Sequence, residues 1–203
     1  MLRLGSGRGS DYRDYLREQL DRTLRKREND PGHGARALID EVARAEPASA
    51  AVLCIGCRNG HELDEFRARG FADVVGIDIF SQRSDIVVMD MHELAFPDDS
   101  FDVVYSSHSL EHAYDVDGVV AQIARVGRDG AVVAVEVPVR HHGSDADRVD
   151  FDGLDALREP FRRYVREELL AVEDVVGSDT NDQGSDVARL VFRLRKGGVS
   201  ADP

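Results

Sequence analysis

Three short stretches of this sequence carry residue types that could do chemistry together. The first is Ala51-Val-Leu-Cys-Ile-Gly56-Cys57-Arg58-Asn59-Gly60, an apolar run that ends in a turn with two glycines and leads into a helical stretch. Glycine lets the backbone approach a ligand closely, and the free N–H groups opening the next helix favour an anion. The second is Val74-Val-Gly-Ile-Asp78-Ile79, where another apolar run ends in a carboxylate. An acid at that place can accept hydrogen bonds from both hydroxyls of a ribose. The third is Val88-Met-Asp90-Met91, followed by Leu94 and Phe96. Here an acid could accept from an adenine amino group, with the apolar residues near the ring. A glycine turn alone is a weak signal, and Asp78 could simply cap the next turn. The three stretches in succession describe an adenosine pocket.

A fourth stretch, Ser106-Ser107-His108-Ser-Leu-Glu111-His112, supplies the groups for proton transfer. Histidine is the natural base at neutral pH. His108 and His112 stand four apart and share a face if residues 107–113 are helical. The competing reading of His112 is a satisfied core residue beneath a strand. His141 and His142, with Glu111, Asp145 and Asp147, offer metal-ligand chemistry, but they come from different loops and form no metal motif, so no metal is expected. Cys54 and Cys57 are spaced C-x-x-C. One lies in an apolar run and the other in a glycine turn, which makes them packing residues rather than redox or metal groups.

These residues need a frame. From Asp11 to Arg27 the residues Tyr12, Tyr15, Leu16, Leu20 and Leu24 recur at helical spacing, which predicts an amphipathic helix after a mobile tail, Met1 to Ser10. Asn29-Asp30-Pro31-Gly32 breaks it, and a second helix covers residues 35–45. Beyond Pro47 short apolar runs alternate with helical stretches, the pattern of a mainly parallel sheet. Strands are expected at 51–55, 74–77, 86–88, 101–105, 131–137, 170–176 and 188–195, and helices at 61–69, 116–126 and 152–164. Residues 1–47 thus form a tail with helices, 48–196 one α/β domain, and Gly197 to Pro203 a disordered end.

The glycine turn, the acid on the second strand, Asp90-x-x-x-Leu94-x-Phe96-Pro-x-x-Ser-Phe-Asp102 and Ser106-Ser-His-Ser-Leu-Glu-His112 together resemble the class I methyltransferases. The resemblance covers residues 51–137. It implies a Rossmann-like, doubly wound sheet of seven strands, mainly parallel with an antiparallel last strand, that binds S-adenosylmethionine. It places Gly56 through Gly60 along the methionine part of that molecule, Asp78 and Ile79 at the ribose and Asp90 with Met91 at the adenine. Ser106 and Ser107 would then face the transferred methyl. Two features depart from the family pattern. Arg58 stands where a glycine is usual, and only Ile79 to Asp85 separate the second strand from the third, whereas parallel strands normally need a longer crossover. Either the helix usually found there is reduced to a turn, or the third strand is degenerate.

With 39 acidic and 26 basic residues the chain has a formal net charge of −13, and Lys26 and Lys196 are its only lysines. The composition is halophile-like, so its acidity says little about partners. No uninterrupted basic patch is present to neutralise phosphates, which argues against nucleic acid. The Asn-Pro-Pro-Tyr or Asp-Pro-Pro-Tyr run of base-methylating family members is also absent. A small-molecule acceptor is expected, in a shallow pocket or one completed by a second subunit of a homodimer. No apolar stretch of roughly 20 residues is present to span a bilayer, and no signal core opens the chain, so a cytoplasmic protein is expected. The rival readings are a non-catalytic protein that binds the same molecule or scaffolds a partner, and a nicotinamide-dependent dehydrogenase. The latter lacks G-x-G-x-x-G.

Overall fold

The structure is a computed structural model that describes residues 10–25, 33–139, 147–174 and 186–196. Two helices, α1 (Ser10–Arg25) and α2 (His33–Ala45), precede β1 (Val52–Ile55), α3 (His61–Ala68), β2 (Val74–Asp78), β3 (Ile86–Val88) and β4 (Phe101–Ser107). Then follow α4 (Val116–Val126), β5 (Gly127–Pro138), α5 (Leu154–Phe161), β6 (Val165–Asp174) and β7 (Val187–Leu194). The sheet has seven strands in the order β3-β2-β1-β4-β5-β7-β6. The strands from β3 across to β5 pair in parallel, and β7 runs antiparallel to both neighbours. This is the expected doubly wound sheet with its last strand reversed. Strand order reverses between β1 and β4, and the crevice at their carboxyl ends is where open α/β sheets bind ligands.

Two-residue periodicity splits the strands between two cores. Leu53 and Ile55 of β1 face one, with Val133, Val135 and Val137 of β5, and α4 and α5 cover that side through Val119, Ile123 and Leu157. Val52, Cys54, Val132 and Ala134 face the other, beneath Leu38, Ile39 and Val42 of α2 and Phe66 of α3. Continuous burial on both faces explains why these strands read as unbroken apolar runs. Tyr12, Tyr15 and Leu16 of α1 form a third, small cluster with Ile79, apart from both cores.

Some boundaries differ from the sequence expectation. Ser10 opens α1 rather than closing a tail. α5 ends at Phe161, and a 3-10 turn over Arg162–Tyr164 leads into β6 five residues before the expected strand. Pro160 lacks an N–H and crowds the preceding turn, which limits that helix. The residues Arg166, Glu167 and Glu168 gave no apolar signal because β6 is an edge strand with only β7 beside it. The tails at residues 1–9 and 197–203, like His141, His142 and Asp145, lie outside the described residues. Among the described residues no helix is long and apolar enough to cross a membrane.

The short link from β2 to β3 holds no helix, as its length requires, and β3 still pairs in parallel with β2. Arg83 fastens it, with Nη1 2.6 Å from Asp64 of α3 and Nη2 2.8 Å from Asp85. Ser81 Oγ donates to the Arg58 carbonyl at 2.7 Å.

Both cysteines are free thiols, buried at 0% and 3% exposure, and burial pushes both thiol pKa values well up. Cys57 Sγ donates to the carbonyls of Cys54 and Ile77. Because the thiolate is the reactive form, the folded protein should leave a colorimetric thiol reagent unreacted, and both thiols should appear in denaturant. A fast native thiol would show that this turn opens.

Candidate active site

At the carboxyl edge of β1 the chain turns through Gly56 at φ 77° and Gly60 at φ 72°. A Cβ on Gly56 would lie 1.9 Å from Ser109 Oγ, and one on Gly60 2.6 Å from Arg83 Nε. Both turns therefore exclude a side chain, by conformation and by space. Gly56→Ala should cost about 2–4 kcal/mol from the left-handed backbone plus the clash with Ser109, read as the shift in a urea unfolding curve. A shift below about 0.5 kcal/mol, the level of an ordinary surface change, would show that Ser109 moves freely. Arg58, the departure from the family pattern, is accommodated simply. Among the described residues only Asp99 and His108 are non-glycine residues with positive φ, so position 58 does not require glycine. Its side chain turns away, Nε donating to Asn59 Oδ1 at 3.1 Å and Nη1 to the Thr23 carbonyl of α1 at 3.2 Å.

Asp78 ends β2 beside this turn. Its Oδ2 accepts from the Arg58 amide and its Oδ1 from the Phe80 amide, each at 3.0 Å. Burial raises its pKa, and the two amides work against that rise. Asp78 thus does cap the turn, while an ionised carboxylate retains lone pairs for further donors. Ile79, the next residue, packs against the α1 cluster.

Asp90 lies in a more occupied setting. Its Oδ2 accepts from the Tyr12 hydroxyl of α1, and its Oδ1 accepts from His92 N at 2.9 Å and Nδ1 at 2.8 Å. His92 Nε2 accepts from the Tyr114 amide at 3.0 Å, which makes Nδ1 the protonated nitrogen. Burial would raise the Asp90 pKa, but the bonds from His92 and Tyr12 outweigh it and hold it below the ordinary value. The rings of Tyr12, Tyr15, His92 and Tyr114 stack edge to face or tilted, so α1 lies across this part of the crevice. Met91 is half-buried against the first core, Leu94 is inside it, and Phe96 packs edge-on to Phe101.

The tip of β4 holds the charged groups. Ser106 Oγ is buried and has no hydrogen-bond partner. Ser107 Oγ donates to Glu136 Oε1 at 2.9 Å. His108 follows at φ 50°, a conformation most side chains avoid and one that recurs at functional sites. Its Nε2 is 3.3 Å from Glu136 Oε1 and its Nδ1 4.0 Å from Glu111 Oε1. Residues 107–113 are not a helix. Only Leu110–His112 form a 3-10 turn, so the two histidines meet at Glu111 rather than along one helical face. His112 Nε2 is 3.6 Å from Glu111 Oε1, and its Nδ1 approaches Asp147 Oδ1 to 2.8 Å. Arg22 of α1 contacts His112 Nε2, and Tyr15 Oη donates to the His112 carbonyl at 2.8 Å. His112 therefore belongs to a polar cluster, not to the core. Among the described residues no group of three histidines, cysteines or carboxylates is set to hold a metal ion.

Register builds the rest of the cluster. Ser107, Glu136 and Arg189 are cross-strand partners on β4, β5 and β7. Arg189 Nε donates to Glu136 Oε2 at 2.5 Å, and its Nη1 to Asp174 of β6. Burial would raise the Glu136 pKa, but His108 and Arg189 overcome it and hold it at about 2. Glu136 and Arg189 escaped the sequence reading, although each is a charge with apolar neighbours on both sides within a strand, Val135-Glu136-Val137 and Ala188-Arg189-Leu190. A buried charge in such a run needs a partner, and that was the available signal. The hydroxyls of Tyr12 and Tyr15 had no such signal, since both residues fit an apolar helix face.

A family model described as a methyltransferase domain matches residues 22–172. The chain belongs to the class I methyltransferase-domain family. The sterol 24-C-methyltransferase erg6 of Aspergillus fumigatus is 29% identical to it over 124 residues, 61% of this chain and 31% of that protein. The 27-O-demethylrifamycin SV methyltransferase of Amycolatopsis mediterranei is 34% identical over 116 residues, 48% of this chain and 43% of that protein. The methyltransferase domain thus spans less than half the length of these relatives. In fold it is similar to the N-methyltransferase NodS of Bradyrhizobium japonicum in complex with S-adenosyl-L-homocysteine, with a TM-score of 0.68 at 14% identity, covering 90% of this chain and 100% of that one. It is also similar to the cyclase SpnF, with a TM-score of 0.66 at 19% identity over 92% and 95% of the two chains.

Proposed function

We propose that this methyltransferase domain is an S-adenosylmethionine-dependent enzyme that methylates a small molecule. The observation that carries this reading is the turn from Gly56 to Gly60 set against Asp78, whose carboxylate accepts from the Arg58 amide at 3.0 Å. The residues suit the methyl donor. The glycines let the chain turn tightly against Ser109 and Arg83 at the carboxyl edge of β1, Asp78 retains lone pairs for ribose hydroxyls, and Ser106 Oγ is a buried polar atom in want of a partner. Gly56 to Gly60 would hold its methionine end, Asp78 and Ile79 its ribose, Asp90 and Met91 its base. The sulfonium brings an activated methyl, so the protein must chiefly position the acceptor and manage a proton. His108 and His112, beside Ser106 and Ser107 at the tip of β4, are the side chains that would meet the acceptor. Glu136 Oε1, 3.3 Å from Nε2, holds the His108 ring in place.

The relatives methylate carbon in one case and oxygen in the other by their names. Both names support a small-molecule acceptor. One observation favours the second reading, a non-catalytic binding or scaffold domain. Asp78 and Asp90 already have internal donors, and Tyr12 occupies one oxygen of Asp90. Calorimetric titration with S-adenosylmethionine and with its demethylated product tests the reading. No binding of either compound would overturn it, and tight binding with no transfer to any acceptor would move the weight to the second reading.

A further inference from the structure

We propose that Glu111 is the catalytic residue that takes the acceptor's proton, and that the acceptor is accordingly an amine or a hydroxyl compound rather than an alkene. The inference rests on the methyltransferase reading and deepens it. Glu111 is buried, with 4% of its surface exposed, yet its Oε2 has no hydrogen-bond partner. A carboxylate oxygen in that condition is costly unless a donor arrives from outside the chain. Ser106 Oγ, at the tip of the same strand that leads to Glu111, is likewise buried and unpartnered at 1% exposure. Two such atoms beside the sheet's ligand crevice mark where polar groups of a ligand belong.

Glu111 stands between the two histidines. His108 has a carboxylate on each side, Glu136 at 3.3 Å from Nε2 and Glu111 at 4.0 Å from Nδ1. Nε2 is within hydrogen-bonding reach of Glu136, whereas 4.0 Å from Nδ1 to Glu111 is a charge contact and not a hydrogen bond. His112 Nε2 accepts from Arg22, so its one lone pair is taken, and Nδ1 lies 2.8 Å from Asp147 Oδ1. Glu111 Oε1 lies 4.0 Å from His108 Nδ1 and 3.6 Å from His112 Nε2, and Oε2 is the oxygen left without a partner. In the reaction the acceptor's lone pair forms the new bond to the methyl carbon, the sulfur–carbon bonding pair stays on sulfur, and the acceptor's N–H or O–H proton passes to Glu111 Oε2. An alkene carbon has no hydrogen-bond donor to offer that oxygen. Access requires α1 to yield. Arg22 lies over the cluster, and α1 is held by polar contacts and a three-residue apolar patch separate from the main cores, the kind of element that opens locally.

The test uses the full chain with methyl-13C-labelled S-adenosylmethionine and a small-molecule extract of the cells that make the protein. The carbon-13 shift of the product methyl distinguishes attachment to oxygen, nitrogen or carbon. Expected is an O-methyl or N-methyl product whose rate of formation falls at least ~100-fold in Glu111→Gln, the scale of a lost general base. Affinity for S-adenosylhomocysteine, measured by calorimetry, should stay within about threefold of the parent, under 1 kcal/mol. Glu111→Asp should recover part of the rate, and it decides the matter if the glutamine variant fails to fold. A methyl found on saturated carbon, or an undiminished rate in the variants, would overturn the role of Glu111 alone. A bound methyl donor with no labelled product overturns both that role and catalysis, whereas no binding by the parent protein overturns the methyltransferase reading itself.

Discussion

Asp78→Ala should weaken binding of S-adenosylmethionine by at least ~100-fold, since a carboxylate that accepts from two ribose hydroxyls supplies about 1.5–3 kcal/mol through each bond. The same substitution removes the acceptor of the Arg58 and Phe80 amides, so the turn also loosens. Asp78→Asn separates the two contributions. Its remaining carbonyl oxygen can still accept from one amide, and the side chain keeps its volume, while the charge and one acceptor are lost. The expected order of affinity is parent, Asp78→Asn, Asp78→Ala, measured by calorimetry in high salt alongside melting temperatures. Equal affinity in all three would make Asp78 a turn cap only, and the ribose assignment would fall with it.

Acid should expose the contribution of Glu136. Its carboxyl sits at about 2 in the folded protein against an ordinary 4.5, despite the burial that works the other way. A carboxyl depressed on folding stabilises the native state above its unfolded value, and that stability is lost as pH falls through the folded value. Here the window runs from 4.5 down to about 2, and the loss across it is on the order of 3 kcal/mol. Glu136→Gln should flatten the fall in unfolding free energy over that window, and Glu136→Ala should cost about 3–5 kcal/mol at neutral pH because Arg189 and His108 lose a buried partner. Chemical denaturation of parent and variants at pH 7, 5, 4 and 3 measures both effects. Parallel curves would show that His108 and Arg189 do not bind Glu136 in solution.

The sheet was legible in the sequence because burial on both faces writes itself into composition. Val52 to Ile55, Val103 to Tyr105 and Ala131 to Val135 are continuous apolar runs, and each lies in a strand where one was expected. Turn chemistry was equally local. Gly56 and Gly60 have the positive φ that glycine permits, and Asp78 ends β2 at the carboxyl edge. By contrast β6 began before its apolar stretch, since an edge strand need not be apolar.

Proximity across the sheet was not legible, because it depends on register and docking. His108 and His112 suggested one helical face, but a left-handed residue and a 3-10 turn bring them to Glu111 by another route. Glu136 stands 25 or more residues from every group it holds except through strand pairing with Ser107 and Arg189, a relation set by how β4, β5 and β7 align. The placement of α1 was also decided in three dimensions. Its periodicity announced an apolar face, and only the packed structure shows that the face bears the hydroxyls of Tyr12 and Tyr15 and meets Asp90 and His112. The sequence by itself determined the strands, the glycine turn and the acid at the tip of β2, because local sterics and burial dictate them. Tertiary structure alone decided which charges share the crevice, because electrostatic and hydrogen-bond energies depend on distances between residues far apart in the chain.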